Sequence, residues 1–304
     1  MRIVVTGAAG GIGRTLIPLL CARPEIAHVA GIDRVPATFS HPKLSFRVAD
    51  ILQAEAASVF EGADAIVHLA FSLTQGSLSV EAMRANNVVG SLNVFRAARE
   101  FGVRKVVNLS SVSVYGQGEN LDEQAPLAPS SLFPYAQQKA ELERAVNRDF
   151  ADIDTVHLRS TFVLGPNATR FLRRMFTGRV TLLPRDPYPN IQVVHENDVA
   201  SAIINALEPS IHSGTFNIAA PEVVTVPELV RNKRKLFVGI PISWVEQVVG
   251  TPPETGLSRP VDSALELFRS SLTVSCEAAR NVLGWSPKYD AWDARKSSDR
   301  SHWF

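Results

Sequence analysis

Cysteine is nearly missing from this chain: two residues, Cys21 and Cys276, in 304. Two thiols make no zinc set, and a chain of this length needs no disulfide framework. Both lie in stretches that read as helices and are expected to be buried, idle thiols. Long apolar runs are missing as well, so no segment approaches a membrane span. "MRIVVTG" enters a strand at once, without the long apolar core of a secretory leader. A surplus of one charge is also missing, since 31 Lys+Arg face 30 Asp+Glu for a net charge of +1. That balance carries no footprint for nucleic acid, and the basic run "RNKRK" (231–235) reads as a solvated helix face. The apolar stretch "KLFVGIPISWVEQVVG" (235–250) has flanks of both signs, which argues for packing on the core or a partner subunit over a membrane-surface helix. No repeat or low-complexity tract is present. A soluble cytoplasmic protein, with no nucleic-acid or membrane partner, is expected.

What is there is an alternation. "RIVVT" (2–6), "HVAGID" (28–33), "LSFRV" (44–48), "DAIVHLA" (64–70), "KVVNLS" (105–110) and "DTVHLR" (154–159) read as strands, apolar on both faces as buried parallel strands are. Helical patterns fall near 11–21, 53–60, 80–101 and 135–149. This order predicts an α/β fold with a doubly wound parallel sheet. Beyond Arg159 prolines gather at 184–189 and 252–253. A strand "IQVVH" (191–195), a helix from Glu196 and a strand "TFNIA" (215–219) follow. We expect a dinucleotide-binding domain over 1–165, with 190–219 returning to it. A smaller, partly interleaved substrate domain is expected over 166–189 and 220–304. The polar tail "ARKSSDRSHWF" is expected to fray.

"TGAAGGIG" (6–13) leaves the first strand and opens the first helix, with Gly7, Gly10 and Gly13 in a G-x-x-G-x-x-G spacing. The first glycine permits a tight turn, the second lets backbone approach a pyrophosphate, and the third allows close packing. Amides at the helix N-terminus then face the phosphates. Asp33 ends the second strand twenty residues beyond Gly13, where a carboxylate partners ribose hydroxyls and repels a 2′-phosphate. NAD is therefore expected over NADP, although the adjacent Arg34 softens the preference. Pro18 falls inside the first helix, where it should kink it.

Tyr135 and Lys139 lie four apart behind Pro134 and share a helix face. Free tyrosine titrates near 10, too high for base work at neutral pH, and a nearby lysine cation is expected to lower it. Such a phenol exchanges a proton with an alcohol or ketone while hydride moves to or from a nicotinamide. Ser111 ends a parallel strand, where such sheets bind ligands, and can hold the substrate oxygen.

These motifs, with "VADI", "VHLA", "NNVVGSLNVFRAARE", "SSVSVYG", "PYAQQK", "LRSTFVLGP", "VHENDVA" and "LGWSP", resemble the extended short-chain dehydrogenase/reductases of the NAD-dependent epimerase/dehydratase family. The resemblance implies a Rossmann-type sheet with NAD along Gly7, Gly10, Gly11, Ile12 and Gly13, and with Asp33 and Arg34 at the ribose. Asp50 and Ile51 would flank the adenine, Leu69 and Ala70 would line the groove, and Asn87 would lie near the phosphates. Ser110 and Val163 would complete the cofactor surface. Ser111, Tyr135 and Lys139 match the catalytic positions, and Lys139 would also bond the nicotinamide ribose. Helices 81–101 and 135–149 resemble those that pair into a homodimer.

Three departures blur the substrate. Ser111-Val112-Ser113 stands where sugar dehydratases resemble one another in a Thr-Asp-Glu run, which argues against dehydration. Phe162 and Ile191 stand where sugar epimerases tend to place an Asn and an Arg that meet the diphosphate. Arg170, Arg173, Arg174 or Arg259 are candidate replacements. Three readings stay open: an epimerase-type enzyme acting on a sugar or nucleotide sugar, a dehydrogenase or reductase of a non-nucleotide alcohol or ketone, and a non-catalytic cofactor sensor.

Overall fold

The computed structural model describes residues 1–73, 79–167, 180–184, 188–230, 236–240 and 270–298. Its centre is a seven-stranded parallel sheet. The strands are β1 (Arg2–Thr6), β2 (His28–Asp33), β3 (Leu44–Val48), β4 (Ala65–His68), β5 (Lys105–Ser111), β6 (Asp154–Ser160) and β7 (Gly214–Ile218). Their order is β7-β6-β5-β4-β1-β2-β3, and every neighbouring pair is parallel. The switch point lies where β1 and β4 meet, so ligands are expected at the C-terminal ends of these strands.

Valine and isoleucine make β1 and β4 buried on both faces, as expected of an inner parallel strand. β3 corrects the expectation: it is an edge strand with Ser45, Arg47 and Val48 exposed. One apolar layer packs Leu16, Ile17 and Leu20 of α1 (Gly11–Cys21) with Val199 and Ile203 of a later helix (Glu196–Ala206). The other packs Phe60, Phe95 and Leu142 on the opposite face. Pro18 is accommodated inside α1.

The expected helix at 80–101 is α2 (Val80–Arg84) and α3 (Gly90–Glu100), joined by one π-helical segment at Ala85–Val89. The next helix, α4 (Pro134–Asp149), starts with proline in its first turn. The predicted strand 191–195 is two strands, Asn190–Ile191 and Val193–His195, in separate sheets. Between them Gln192 is buried, donating to Ala220 O at 3.1 Å and accepting from Val274 N at 2.7 Å. Side-chain bonds of this kind divert the chain from one sheet to the next.

Within the apolar stretch 235–250, Leu236–Ile240 is a strand paired in parallel with Val180–Pro184, not a helix. Its remaining residues, "RNKRK", the four candidate arginines and residues 299–304 lie outside the described residues. The tail does not fray from its start, because Ala291–Ser298 is helical and buries Ala294 and Ser298. Both cysteines are buried and unpaired. Cys276 caps a helix at Glu277–Leu283 and is not itself helical.

Candidate active site

The glycine loop is built for backbone contact. Gly7 has φ +68°, and a Cβ there would lie 2.6 Å from Ala70 N. Only glycine accepts both the angle and the approach. A Cβ on Gly13 would lie 2.5 Å from Ala8 O, so its packing partner is the loop's own carbonyl. Gly10 caps α1 without any side-chain hydrogen bond. The helix end is thus left to an anion, and the loop fits a dinucleotide pyrophosphate.

Asp33 is already held by backbone: Oδ2 accepts from Ala9 N at 3.0 Å and Oδ1 from Val35 N at 3.3 Å. Asp33, Arg34, Asp50, Ile51, Leu69, Ala70 and Asn87 all line one cavity of about 170 Å³, which also meets Gly7 and Gly10. The Asn87 amide is fully engaged, accepting from Ser72 N at 2.7 Å and donating to Ser72 O at 3.0 Å and Gln138 Oε1 at 2.8 Å. It pins the loop after β4. His68 pins the same region from within, bridging Thr6 Oγ1 and Ser91 Oγ at 2.7 Å each. Burial pushes its imidazole down to about 3, helped by Lys139, so it is neutral.

A second cleft of about 430 Å³ continues from the loop and brings together Gly11, Ile12, Gly13, Ser110, Ser111, Tyr135, Lys139 and Val163. The three residues expected to do chemistry therefore face one space. β5 delivers Ser111 at its C-terminal end, and α4 delivers Tyr135 and Lys139 from one face. Ser111 Oγ accepts from Ser113 Oγ at 2.9 Å and from Ser113 N at 3.2 Å. Lys139 Nζ donates to Leu109 O at 2.5 Å.

The electrostatics run opposite to the expectation from spacing. Burial pushes the Tyr135 phenol up to about 12, and a hydrogen bond with Ser111 only partly opposes it. Burial also pushes the Lys139 ammonium down to about 7, with the Glu143 carboxylate working against that. Desolvation disfavours the charged form of each group and here outweighs the help from Ser111 and Glu143.

Sequence reasoning missed the aromatic wall. The Phe71 ring lies 3.6 Å below Lys139 Nζ and meets Tyr135 edge-on at 5.4 Å, while Phe133 packs on Tyr135 at 5.5 Å. Phe71 follows "VHLA" directly, but no spacing marks it as a partner of Lys139. Glu196 was also missed. Its buried carboxylate lines the cleft and accepts from Thr15 Oγ1 at 3.0 Å, Asn167 N at 2.9 Å and Asn167 Nδ2 at 3.0 Å. Burial raises this carboxyl, and those bonds oppose it.

Phe162 and Ile191, where polar residues would meet a diphosphate, both line a further cavity of about 550 Å³. It adjoins the cleft through Ser113, Phe133, Phe162 and Leu272, which line both. His195 stacks on Tyr289 at 4.0 Å. Asp198 accepts from the backbone of Lys288 at 2.9 Å and Tyr289 at 3.1 Å. The "VHEND" run therefore anchors the "LGWSP" region.

A glycine loop at the switch point, a strand-end carboxylate and a serine, tyrosine and lysine on one cleft define a dinucleotide-binding α/β enzyme. The chain belongs to the NAD dependent epimerase/dehydratase family, which residues 3–219 match. It is similar to UDP-glucose 4-epimerase of Mycolicibacterium smegmatis, 30% identical over 95% of this chain and 94% of that protein. A uronate dehydrogenase of Pseudomonas putida is 31% identical over 52% of this chain and 59% of that protein. The solved structure of MoeE5 in complex with UDP-glucuronic acid and NAD shares the fold, with TM-score 0.77 at 22% identity, covering 98% and 97% of the two chains. UDP-glucose 4-epimerase from Thermotoga maritima does so with TM-score 0.75 at 21% identity, covering 98% of each chain. This chain is accordingly an NAD-dependent enzyme. Among its described residues, no helix is long and apolar enough to cross a membrane.

Proposed function

We propose that the protein is an epimerase-type enzyme acting on a nucleotide sugar, oxidising one ring alcohol and reducing the ketone from its other face. The observation that carries this reading is the convergence of Ser111, Tyr135 and Lys139 on a cleft that opens into a second, larger cavity. The similarity to a UDP-glucose 4-epimerase along nearly the whole chain supports it. NAD, when bound, supplies the hydride acceptor and then the donor. Ser111 holds the reacting oxygen. Tyr135 takes the alcohol proton in the first half-reaction and returns it to the ketone oxygen in the second. Lys139 makes this feasible: a phenolate beside an ammonium carries the same net charge as a phenol beside an amine. The proton can shift between them without burying extra charge.

In this reading the glycine loop, Asp33, Arg34, Asp50, Ile51, Leu69, Ala70, Ser110 and Val163 hold NAD, and Asn87 shapes the loop that covers it. Residues 166–189 and 220–304 form the substrate region around a 1–165 cofactor domain to which 190–219 return. A second copy pairs through 81–101 and 135–149, where Val89 leaves an exposed apolar side chain. A cytoplasmic setting fits the two buried, unpaired thiols.

A second reading, a dehydrogenase or reductase of an alcohol or ketone without a nucleotide handle, draws support from two observations. Phe162, Ile191 and Leu272 make part of the larger cavity apolar, and about half of the chain resembles a uronate dehydrogenase. Incubation with NAD and a panel of UDP-, dTDP- and GDP-sugars separates the two, read by reduced-nicotinamide absorbance and by NMR of the sugar. Inverted sugar without accumulated NADH is the expected result. Accumulated NADH, or no reaction across the panel with NAD bound, would overturn it in favour of the second reading.

A further inference from the structure

A carboxylate stands behind the lysine of the site. Tyr135, Lys139 and Glu143 follow one another at four-residue spacing on α4 and so share one face. Glu143 is fully buried. Its Oε1 accepts from Ser110 Oγ at 2.5 Å, and its Oε2 accepts from Arg159 Nη2 at 2.6 Å. Arg159 Nε adds contacts of 3.2 Å to both oxygens. Arg159 also donates to the Tyr115 hydroxyl at 2.7 Å, which donates to Asn217 Oδ1 at 2.8 Å. The network ties α4 to β5, β6, the turn after Ser111 and β7. It touches the site twice. Ser110 neighbours Ser111, and it follows Leu109, whose carbonyl holds Lys139.

A buried ion pair is a poor source of stability, because desolvating two charges offsets most of their attraction. Placed one helical turn behind a buried ammonium, it has an electrostatic use. The titratable or charged groups facing Lys139 are Tyr135 and Glu143 on its own helix, His68 on β4 and His157 on β6, with Arg159 behind Glu143. Burial lowers both histidines, which leaves them neutral at physiological pH. Burial works to raise the Glu143 carboxyl, but Arg159, His157 and Ser110 together outweigh it and keep it ionised. Among the described residues, Glu143 is thus the charged neighbour that favours the ammonium.

We infer that Glu143 is a positioning residue that acts through Lys139: its carboxylate keeps the lysine charged and seated on Leu109, and Arg159 keeps that carboxylate ionised. The inference rests on the reading of Lys139 as the partner of Tyr135. Its readout is the proton affinity of Lys139, which a merely structural ion pair would not move.

The test is the titration of Lys139 in the full chain, followed by NMR of ¹³C-labelled lysine side chains and assigned by signal loss in Lys139→Arg. No substrate is needed, so the result is separate from the sugar panel. Glu143→Gln is expected to lower the Lys139 midpoint by about one pH unit. Arg159→Gln is expected to lower it too, because burial then neutralises the Glu143 carboxyl. Where either single variant fails to fold, Glu143→Gln/Arg159→Gln removes both charges of the ion pair and is expected to titrate below the parent. Midpoints unchanged from the parent, or raised, in whichever variants fold would overturn the inference.

Discussion

The two ends of the cleft solve different physical problems. At the end proposed to hold the adenosine, Asp33 and Asp50 are half-buried and fixed by backbone amides, Asp50 by Leu52 N at 3.0 Å. At the end proposed to carry the chemistry, Lys139 is only 3% exposed and sits on an aromatic ring, beside a phenol pushed up to about 12. Holding a ribose needs a carboxylate in the right place, and a half-buried one serves. Moving a proton near neutral pH needs an affinity in that range, and burial brings Lys139 to it while driving Tyr135 away, so the pair has to share the proton. The same burial makes that end costly to fold.

Substitutions at the two ends should therefore fail in different ways. Tyr135→Phe is expected to lower turnover on the order of a thousandfold while leaving NAD affinity within about twofold. Near-normal turnover in that variant would remove the distinction between the ends. Lys139→Met should lower turnover by about a hundredfold and yet stabilise the free protein. Burial pushes the folded Lys139 down to about 7 from its ordinary 10.5. Below pH 7 the lysine is charged in both states and the folded protein bears the full cost of burying it. Between pH 7 and about 10 the unfolded chain binds more protons, so stability of the parent rises with pH. Lys139→Met should be more stable than the parent at pH 6 by about 2–4 kcal/mol in urea unfolding, and should lose that rise. The smallest effect belongs to the other end. Asp33→Ala should reduce the preference for NAD over NADP by about tenfold, with turnover at saturation unchanged. An unchanged preference would transfer cofactor choice to Arg34.

Legibility in the sequence followed range. β1, the glycine loop, Asp33 and the Tyr135–Lys139 pair are local patterns, and the structure places each at the expected element. Glu143 was within reach of the same reasoning, since it repeats the four-residue step from Lys139, but its meaning depends on Arg159 from another strand. Phe71 was out of reach: a loop phenylalanine after β4 looks like any apolar residue until α4 lays Lys139 over it. The split of 191–195 was hidden for a similar reason, because Gln192 leaves the strand to bond Ala220 and Val274, distant in the chain.

The parallel sheet and the glycine loop were set by the linear sequence, which also singled out the three residues proposed to react, because each depends on short-range periodicity or spacing. The state of those residues is set by the assembled fold. Whether Tyr135 is a base and Lys139 a cation depends on how completely Phe71, Phe133 and the sheet exclude water, and on a carboxylate held in place by Arg159. Desolvation and Coulomb energies are properties of the assembled surroundings, which no linear spacing contains.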